Sequence, residues 1–368
     1  MAIKTAVIGM GGIGYTHARA YAADPLAELI AVCDLNKEKA DKAAEEFGVR
    51  AFYSVKELCE GLGDELEAVS ICTSGYENGS FHFEPAMEAL SYGKKVLCEK
   101  PLCADIRDAR ELVNYALKNK LYLGCNLNHY FTDLASTAKG WMNNGDIGET
   151  VYCIHKVGFD GTEADYAGVT DRQSRWQKPY SHCKAFLTHP FSVMRYFCGD
   201  IVQVQAFLDR PGVRKSAGDL MLSINSVNCK FENGGVGVLL SQRGDARFGL
   251  GGWWSYEHAG TKGTFCIENC VEKLTYWPGK KDEEGKFVQP EIINTGLTDF
   301  NLTFANRIHA WLEDLTNNVH YEFIRSSGRD ALATLEYIEA VIQSYEHGGA
   351  LVTPHPLPPI HGTPDYIH

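Results

Sequence analysis

A glycine-rich turn near the amino terminus constrains the fold of this chain more than any other feature. Residues 9–14 read Gly-Met-Gly-Gly-Ile-Gly, which is a GxGxxG pattern. An apolar run from Ala6 to Ile8 precedes the turn, and a helical pattern from Ile13 to Ala23 follows it. In a unit of strand, glycine turn and helix, the backbone can approach a pyrophosphate at the N-terminus of the helix. The turn therefore predicts a dinucleotide site at the end of the first strand.

Each of three glycines in this turn is expected to have a separate structural role. Gly9 allows the tight turn, Gly11 lets the backbone come close to the pyrophosphate, and Gly14 lets the helix pack closely on the strand. The whole turn is expected to contact the cofactor. Its residues are Gly9, Met10, Gly11, Gly12, Ile13 and Gly14.

An acidic residue at the end of the second strand indicates which dinucleotide is bound. Asp34 lies 20 residues after Gly14 and is expected to accept hydrogen bonds from the adenosine ribose hydroxyls. A carboxylate there repels a 2′-phosphate, so the expected cofactor is NAD rather than NADP. Lys37 is close enough in sequence to soften that repulsion. The alternative for Asp34 is an N-cap of the next helix.

The first 125 residues alternate short apolar runs with amphipathic stretches. The runs are apolar on both faces, as parallel strands covered by helices on both sides are. They are Ala6–Ile8, Leu29–Cys33, Ala68–Cys72, Val96–Cys98 and Leu121–Cys125. Between the last two, apolar residues recur at helical spacing after the candidate N-cap Asp105. This order predicts an α/β fold with a doubly wound parallel sheet.

From about Thr150 the candidate strands become longer and alternate between apolar and polar residues. Alternation indicates one buried face and one wetter face, hence an antiparallel sheet. The candidate strands are Val202–Phe207, Leu220–Phe231, Gly235–Ser241 and Gly263–Ile267. Two late helices are predicted from apolar stripes at Phe304–Leu315 and Leu332–Tyr345. The predicted domains are residues 1–127, a nucleotide-binding domain, residues 128–350, a second α/β domain, and residues 351–368, an extended Pro-rich tail.

Charge and cysteine usage exclude several classes of protein. The formal net charge is −12 and no basic cluster interrupts it, so neither nucleic acid nor an anionic membrane is an expected partner. The first apolar run is too short to span a bilayer and no signal-peptide cleavage pattern follows it. The 12 cysteines are scattered singly, without CxxC or zinc spacing, which predicts reduced core thiols and no metal site. A cytoplasmic location is expected.

A second group of motifs gives the chain a family resemblance. Ile71-Cys72-Thr73 leads to His82, and Gly93-Lys94-Lys95-Val96-Leu97-Cys98-Glu99-Lys100-Pro101-Leu102 ends the fifth strand with Glu-Lys-Pro. With the glycine turn, these motifs resemble the Gfo/Idh/MocA oxidoreductases, which are nicotinamide-dependent sugar and polyol dehydrogenases. The resemblance covers nearly the whole chain. It implies a Rossmann domain followed by an α/β domain with an open, mainly antiparallel sheet.

The resemblance also implies roles for individual residues. Lys100 corresponds to the lysine that lies at the nicotinamide and the reacting carbon. His189 corresponds to the histidine on the first helix of the second domain. The family's usual Asp four residues earlier is replaced by Ala185. His182 and Lys184 are expected to supply the missing polar groups, His182 as a catalytic residue and Lys184 as a substrate ligand.

Further contacts are expected around these two residues. Thr73, His82, Glu99 and Asn128 are the expected additional cofactor contacts. The expected substrate contacts, besides Lys100 and His189, are His129, Tyr130, Arg172 and Trp176. A surface pair with Glu99 is the alternative for Lys100, and a capping or packed histidine is the alternative for His189. The aromatic residues Trp253, Trp254 and Tyr256 are expected either to hold an aglycone or to lie in the core or a subunit contact.

The resulting functional hypothesis is an NAD-dependent oxidoreductase acting on a ring carbinol of a sugar or glycoside, at the 3-hydroxyl. An inositol, aldose or polyol dehydrogenase of the same family is the alternative within enzymes. The loss of the aspartate at position 185 motivates an alternative of another class, a non-catalytic NAD-binding sensor or scaffold. The resemblance implies a homo-oligomer, a dimer, tetramer or larger assembly, packed through the exposed face of the second sheet.

Overall fold

The computed structural model describes residues 2–73, 80–159, 180–209, 224–243 and 252–362. By contacts the chain forms two compact units. The first unit contains Met1–Asn128, Phe304–Leu335 and Pro356–His368, and the second contains His129–Thr303 and Glu336–His355.

The first unit is built on a parallel sheet of six strands. The strands are β1 (Ile3–Ile8), β2 (Ala27–Cys33), β3 (Arg50–Phe52), β4 (Ala68–Ile71), β5 (Lys95–Cys98) and β6 (Leu123–Cys125). Their order is β3-β2-β1-β4-β5-β6, and every pair is parallel. The connecting helices are α1 (Gly12–Ala23), α2 (Lys37–Phe47), α3 (Val55–Leu62), α4 (Phe83–Ser91) and α5 (Ile106–Lys118). The predicted doubly wound sheet is confirmed.

Burial explains why the short apolar runs form central strands. Every residue of β4 is buried, and so are five of the six residues of β1. A strand covered on both faces favours a continuous apolar sequence. The prediction missed β3, which has only three residues, all of them partly buried or exposed. Asp105 caps α5 as predicted, because its side chain accepts the backbone N–H of Arg107.

The second unit contains a sheet of eight described strands. They are β7 (Thr150–Phe159), β8 (Ile201–Asp209), β9 (Ile224–Phe231), β10 (Val236–Arg243), β11 (Trp254–Gly260), β12 (Gly263–Glu268), β13 (Lys273–Pro278) and β14 (Glu291–Asn294). Their order is β14-β13-β12-β11-β7-β10-β9-β8, and only the β7–β10 pair is parallel. The helices are α6 (Asp133–Asn143), α7 (Ser181–Phe186) and α8 (Thr188–Cys198). The mainly antiparallel second sheet is therefore confirmed.

The alternating pattern correctly located β8, β9, β10 and β12. In β9 the residues alternate between buried and more exposed positions along the strand. The prediction missed β13 and β14 at one edge of the sheet. It also missed β7 and β11, the two strands at the centre of the sheet. Both carry polar or charged residues at buried or half-buried positions, such as His155 in β7 and His258 in β11, so the alternation is masked.

The last two helices are α9 (Leu302–Thr316) and α10 (Gly328–Glu346), as the apolar stripes predicted. The grouping by contacts differs from the predicted domains at residues 304–335, which cluster with the first unit. The reason is visible in α9: Ile308, Trp311 and Leu312 are buried in the core that also contains Val7 and Leu97. The division into separately folding domains stays a prediction.

Candidate functional site

The glycine turn in the first unit connects β1 to α1 over three residues. Gly9 has a φ of +93°, and a Cβ added there would lie 2.7 Å from the backbone nitrogen of Thr73. A Cβ on Gly14 would collide with the carbonyl oxygen of Gly9. Around Gly11, by contrast, no atom lies within 4 Å of an added Cβ. The turn is therefore closed at both ends and open in the middle, next to the first amide groups of α1, where an anionic group is stabilised.

A cleft of about 490 Å³ opens beside this turn. Its lining includes Gly9 and Gly11, Asp34 after β2, and Cys72 and Thr73 after β4. These positions follow the carboxyl ends of neighbouring parallel strands, which is where ligands of doubly wound sheets bind. The volume lies within the usual range of about 300–1,000 Å³ for ligand sites. Thr73 also fixes the cleft wall, since its hydroxyl donates to the carbonyl of Phe81 at 2.6 Å.

Asp34 is held at the edge of the cleft by two backbone amides. Its Oδ2 accepts the N–H of Met10 at 2.7 Å, and its Oδ1 accepts the N–H of Asn36 at 2.8 Å. The N-cap of α2 is Asn36, so the capping alternative for Asp34 is wrong. The Lys37 ammonium lies 4.8 Å from the ring centre of Tyr53. Each carboxylate oxygen has a second lone pair, which leaves Asp34 able to accept ribose hydroxyls.

A buried polar network lies directly beneath the end of β5. Glu99 Oε1 is 2.9 Å from His17 Nε2 and also accepts the side-chain amide of Asn126. His17 Nδ1 is 3.0 Å from the hydroxyl of Ser70, which is 2.7 Å from the hydroxyl of Tyr21. All five side chains are buried. We call this set (Tyr21, Ser70, His17, Glu99 and Asn126) the Glu99 network.

The Glu99 network fixes the backbone at Lys100. Glu99 Oε2 accepts the N–H of Lys100 at 3.1 Å. Burial by itself raises the pKa of Glu99, but the bonds and charge of His17 and the bond from Asn126 outweigh it and lower that pKa. The Glu99 side chain therefore stays ionised and turned inward, where it holds the backbone N–H of Lys100. The alternative of a surface pair with Lys100 does not fit this buried carboxylate.

His82 forms a hydrogen bond to Pro101, the residue that follows Lys100 in the same loop. Its Nδ1 donates to the carbonyl of Pro101 at 2.7 Å, and the side chain is 1% exposed. Burial lowers the pKa of His82, partly offset by the bond to Pro101, so the imidazole is neutral. His82 thus ties the start of α4 to the Lys100–Pro101 loop. Whether His82, Glu99 and the buried Asn128 also contact a cofactor stays a prediction.

In the second unit, His189 lies in the first turn of α8 and stacks on His129. The ring centres are 3.7 Å apart and the rings are 11° from parallel. The indole Nε1 of Trp254 donates to His129 Nδ1 at 3.2 Å, and Phe300 packs edge-on against His129 at 5.0 Å. His129, His189 and Trp254 are all buried. We call these three residues the His129 cluster.

The other residues predicted near the substrate have identifiable neighbours. Tyr130 stacks between Phe131 and Tyr196, with ring centres 4.7 and 4.5 Å away. The Lys184 ammonium lies 3.1 Å from a carboxylate oxygen of Glu339, an ion pair that joins α7 to α10. Ala185 is buried. The roles of Tyr130 and Lys184 as substrate ligands stay predictions.

Several predicted residues lie outside the part of the chain that the structure describes. Arg172 and Trp176 fall in residues 160–179, and of His182 only the backbone, in α7, is described. Trp254 and Tyr256 are buried in the second unit, which agrees with the core alternative for these aromatics.

Three residues of the Glu99 network were not predicted from the sequence: His17, Ser70 and Asn126. A signal for Ser70 is a polar residue in the middle of the apolar run Ala68–Cys72. His17 lies one turn after Gly14, on the face of α1 that must be buried against the sheet. A polar residue at such a position needs a partner in the core.

Across the described ranges, no group of three or more His, Cys, Asp and Glu side chains has the geometry of a metal site. All twelve cysteines are free thiols, and only Cys266 is partly exposed, which confirms their interpretation as core residues. No helix among the described residues has the length and apolar character needed to cross a membrane.

Residues 3–127 match a family model, GFO_IDH_MocA, described as the oxidoreductase family with an NAD-binding Rossmann fold. The matched stretch covers 125 of the 368 residues of the chain. The resemblance drawn from the glycine turn and the Glu-Lys-Pro motif is thereby confirmed. The family description also agrees with NAD as the expected cofactor.

Two curated relatives illustrate the range of proteins with similar sequences. D-glucoside 3-dehydrogenase of Escherichia coli (strain K12) is 29% identical over 164 residues, 43% of this chain and 45% of the relative. Inositol 2-dehydrogenase of Rhizobium meliloti (strain 1021) is 23% identical over 356 residues, 94% of this chain and 97% of the relative. In the first six curated relatives, the matched stretch spans only 36–59% of the relative's length.

A solved structure extends the likeness to the whole fold. Levoglucosan dehydrogenase, in complex with NADH and levoglucosan, aligns with a TM-score of 0.82 over 96% of this chain and 100% of its own. The sequences are 19% identical, so this likeness concerns the fold. The similarity of fold therefore continues beyond the NAD-binding domain.

Proposed function

We propose that this chain is an NAD-dependent dehydrogenase that oxidises a ring carbinol of a sugar or glycoside, at its 3-hydroxyl. The observation that supports it most is the position of Lys100, directly after β5 at the edge where β1, β2 and β4 also end. Its backbone is fixed from below by Glu99. The similarity to D-glucoside 3-dehydrogenase favours a glycoside.

The cleft of the first unit fits the cofactor in shape and chemistry. The space above Gly11 is open, as close approach of a pyrophosphate requires, and the Asp34 carboxylate lies at the cleft edge. The residues that would hold NAD are those of the turn from Gly9 to Gly14, with Asp34 and Thr73. When bound, NAD supplies the acceptor for the hydride that leaves the carbinol carbon.

A side chain of the protein accepts the proton of the substrate hydroxyl group. Oxidation breaks the C–H and O–H bonds of the carbinol and forms C=O, so a side chain must accept the hydroxyl proton. Lys100 Nζ, as a neutral amine, or His189 accepts it, and such acid–base help is worth about 10²–10⁴ in rate. As an ammonium, Lys100 also stabilises negative charge that develops on the oxygen.

The test is an assay of the purified chain with NAD and a panel of glucosides. We expect the absorbance of reduced nicotinamide to rise, and mass spectrometry to find 3-oxo products two hydrogens lighter than the substrates. Products oxidised at another position would contradict the 3-hydroxyl assignment. The absence of any turnover, with NAD still bound, would favour the sensor or scaffold alternative.

A second candidate is an inositol, aldose or polyol dehydrogenase. The observation in its favour is that inositol 2-dehydrogenase of Rhizobium meliloti aligns along 97% of its length, far more than the glucoside enzyme does. A panel of inositols, free polyols and aldoses decides between the two candidates. Higher kcat/KM on that panel than on glucosides would replace the first proposal by the second.

We also propose that the chain forms a homo-oligomer through the open face of the second sheet. Ile154 of β7 and Val236, Val238 and Leu240 of β10 are large apolar residues on neighbouring strands, and all four are exposed. Adjacent exposed apolar side chains favour association. Light scattering is expected to give a dimer or a larger assembly, and Val238→Lys should shift it towards monomer. A monomeric wild type would contradict the proposal.

The free thiols support a cytoplasmic location as a further proposal. Closely placed free cysteines, such as Cys198 with Cys153 beside it, persist in a reducing compartment. Cell fractionation with detection of the chain tests this location, and recovery in a secreted or periplasmic fraction would contradict it.

A further inference from the structure

The His129 cluster contains a hydrogen bond whose direction is fixed by chemistry. An indole N–H can only donate, so His129 Nδ1 must accept the bond from Trp254. Nδ1 therefore carries no proton, and the remaining proton of the neutral ring is on Nε2. Protonating His129 would set two N–H groups against each other at 3.2 Å. Trp254 thus holds His129 in its neutral Nε2–H tautomer.

The stack of His129 on His189 has a geometry that favours a single positive charge. With centres 3.7 Å apart and planes 11° from parallel, the rings lie nearly face to face. Neutral aromatic pairs prefer offset or edge-on contacts, whereas a cation is attracted to the face of a neutral ring. Two imidazolium rings at this distance would repel each other. Because Trp254 keeps His129 neutral, the ring that can accept a proton is His189.

The neighbours of the stack restrict its movement. Phe300 packs edge-on against His129, and the thiol of Cys270 donates to the carbonyl oxygen of His129 at 3.2 Å. His189 itself is anchored by α8, whose next turn buries Phe191, Ser192 and Val193. His129 therefore presents a fixed ring face to His189.

We propose that His129, locked by the Trp254 indole, is the positioning residue for His189 and takes the place of the aspartate that the family resemblance expects at position 185. The inference rests on the proposed function, in which His189 is one of the two candidate acceptors of the hydroxyl proton. An aspartate would orient the histidine through a hydrogen bond and an opposite charge. In this chain, a neutral ring orients it by stacking and stabilises the imidazolium through its π-face.

The experiment combines imidazole ¹⁵N spectra with steady-state kinetics on full-length variants. Histidine-labelled wild type is compared with Trp254→Phe, which keeps an aromatic side chain and removes the donor, and with His129→Leu, which removes the ring. His129→Phe restores a flat ring and serves as the rescue. Trp277→Phe, at an exposed position on β13, is the matched tryptophan control. Thermal melts verify that each variant folds.

We expect wild-type His129 to show a protonated Nε2 and an unprotonated, hydrogen-bonded Nδ1, and Trp254→Phe to lose that signature. We expect His129→Leu to lower kcat about 10- to 100-fold, as loss of orientation does, with KM for NAD unchanged. His129→Phe should recover most of this loss, and Trp277→Phe should match the wild type.

Two results would overturn the inference. One is a wild-type His129 that carries its proton on Nδ1 or is doubly protonated at neutral pH. The other is wild-type kcat in folded His129→Leu. If the wild type turns over no substrate, the proposed function fails, and the spectra decide alone. Resonances of His189 that do not move in His129→Leu and Trp254→Phe would then overturn the inference, and resonances that move would support the contact.

Discussion

The two units hold their candidate functional residues by different physical means. In the Glu99 network of the first unit, a buried carboxylate accepts hydrogen bonds from His17, from Asn126 and from the backbone of Lys100. In the His129 cluster of the second unit, His189 stacks on a neutral ring whose tautomer is fixed by an indole. The first cluster is anchored by charge and the second by aromatic contact.

Because the two clusters are anchored differently, they should respond differently to substitution. A buried charge needs every partner it has, because the loss of one leaves charge in a medium that solvates it poorly. A stacked neutral ring loses contact area and orientation, while no charge is stranded. Substitutions in the Glu99 network should therefore reduce stability, whereas substitutions in the His129 cluster should mainly reduce turnover.

The largest expected effect concerns Lys100, which the Glu99 network positions. Lys100→Ala should leave NAD binding intact and lower turnover by at least about 10²-fold, because the positive group and proton acceptor are lost. NAD binding is followed by fluorescence titration and turnover by reduced-nicotinamide absorbance. Lys95→Ala, at the opposite end of β5, is the control and should behave as wild type. An active Lys100→Ala enzyme would remove Lys100 from the mechanism.

A large loss of stability is expected when the buried Glu99 carboxylate loses its hydrogen bond from His17. His17→Ala should lower the free energy of unfolding by about 3 kcal/mol, since Glu99 is left buried with one partner fewer. Urea unfolding measures the change. Arg19→Ala removes an exposed pair with Glu46 on the same helix and should change little. Equal effects of the two substitutions would contradict the charge-anchored description of the first unit.

Acid should lower the stability of both units below pH 6.5, because each contains a buried histidine with a lowered pKa: His82 in the first unit and His155 in the second. Burial lowers the pKa of His155, in β7, from its ordinary 6.5 to about 4, so the unfolded chain binds this proton first and stability falls as the pH drops from 6.5 towards 4. The fall is about 3 kcal/mol. The lowered pKa of Glu99 has the same sign, but its contribution is present above 4.5 and is lost only below that value.

Hydrogen exchange between pH 4 and 7 distinguishes the contribution of His155 from those of His82 and Glu99. His155→Gln should flatten the pH dependence of the second unit above pH 4.5 and leave that of the first unit unchanged. His347→Gln, at an exposed position, is the control. The same slope in wild type and His155→Gln would contradict the assignment of this window to His155.

The smallest effect is expected at the glycine turn. Gly11→Ala adds a methyl group where no atom lies within 4 Å, so stability should stay near that of the wild type. NAD affinity should fall about tenfold, since the methyl group occupies the approach of the pyrophosphate. Calorimetry and thermal melts measure the two quantities. Gly140→Ala, also with open space but inside α6, should raise stability by about 1 kcal/mol through helix propensity and leave NAD affinity unchanged. An unchanged NAD affinity in Gly11→Ala would contradict the role of the turn.

The sequence predicted the first unit well because its signals are local. The runs Ala68–Cys72 and Val96–Cys98 became β4 and β5 within one or two residues, and the helix after Asp105 is capped as expected. In the second unit the polar residues of β7 and β11 masked the strand pattern. Sequence spacing also gave no indication that residues 304–335 would pack with the first unit, since that contact is long-range.

The sequence alone determined the fold class, the dinucleotide turn and the preference for NAD, because each follows from residue types at short spacing. The family resemblance added Lys100 as the central candidate. The tertiary structure decided which side chains support them. Glu99 meets His17 across 82 positions of the chain, and His129 meets Trp254 across 125. Such partners are set by how helices and strands pack, and no local pattern encodes that packing.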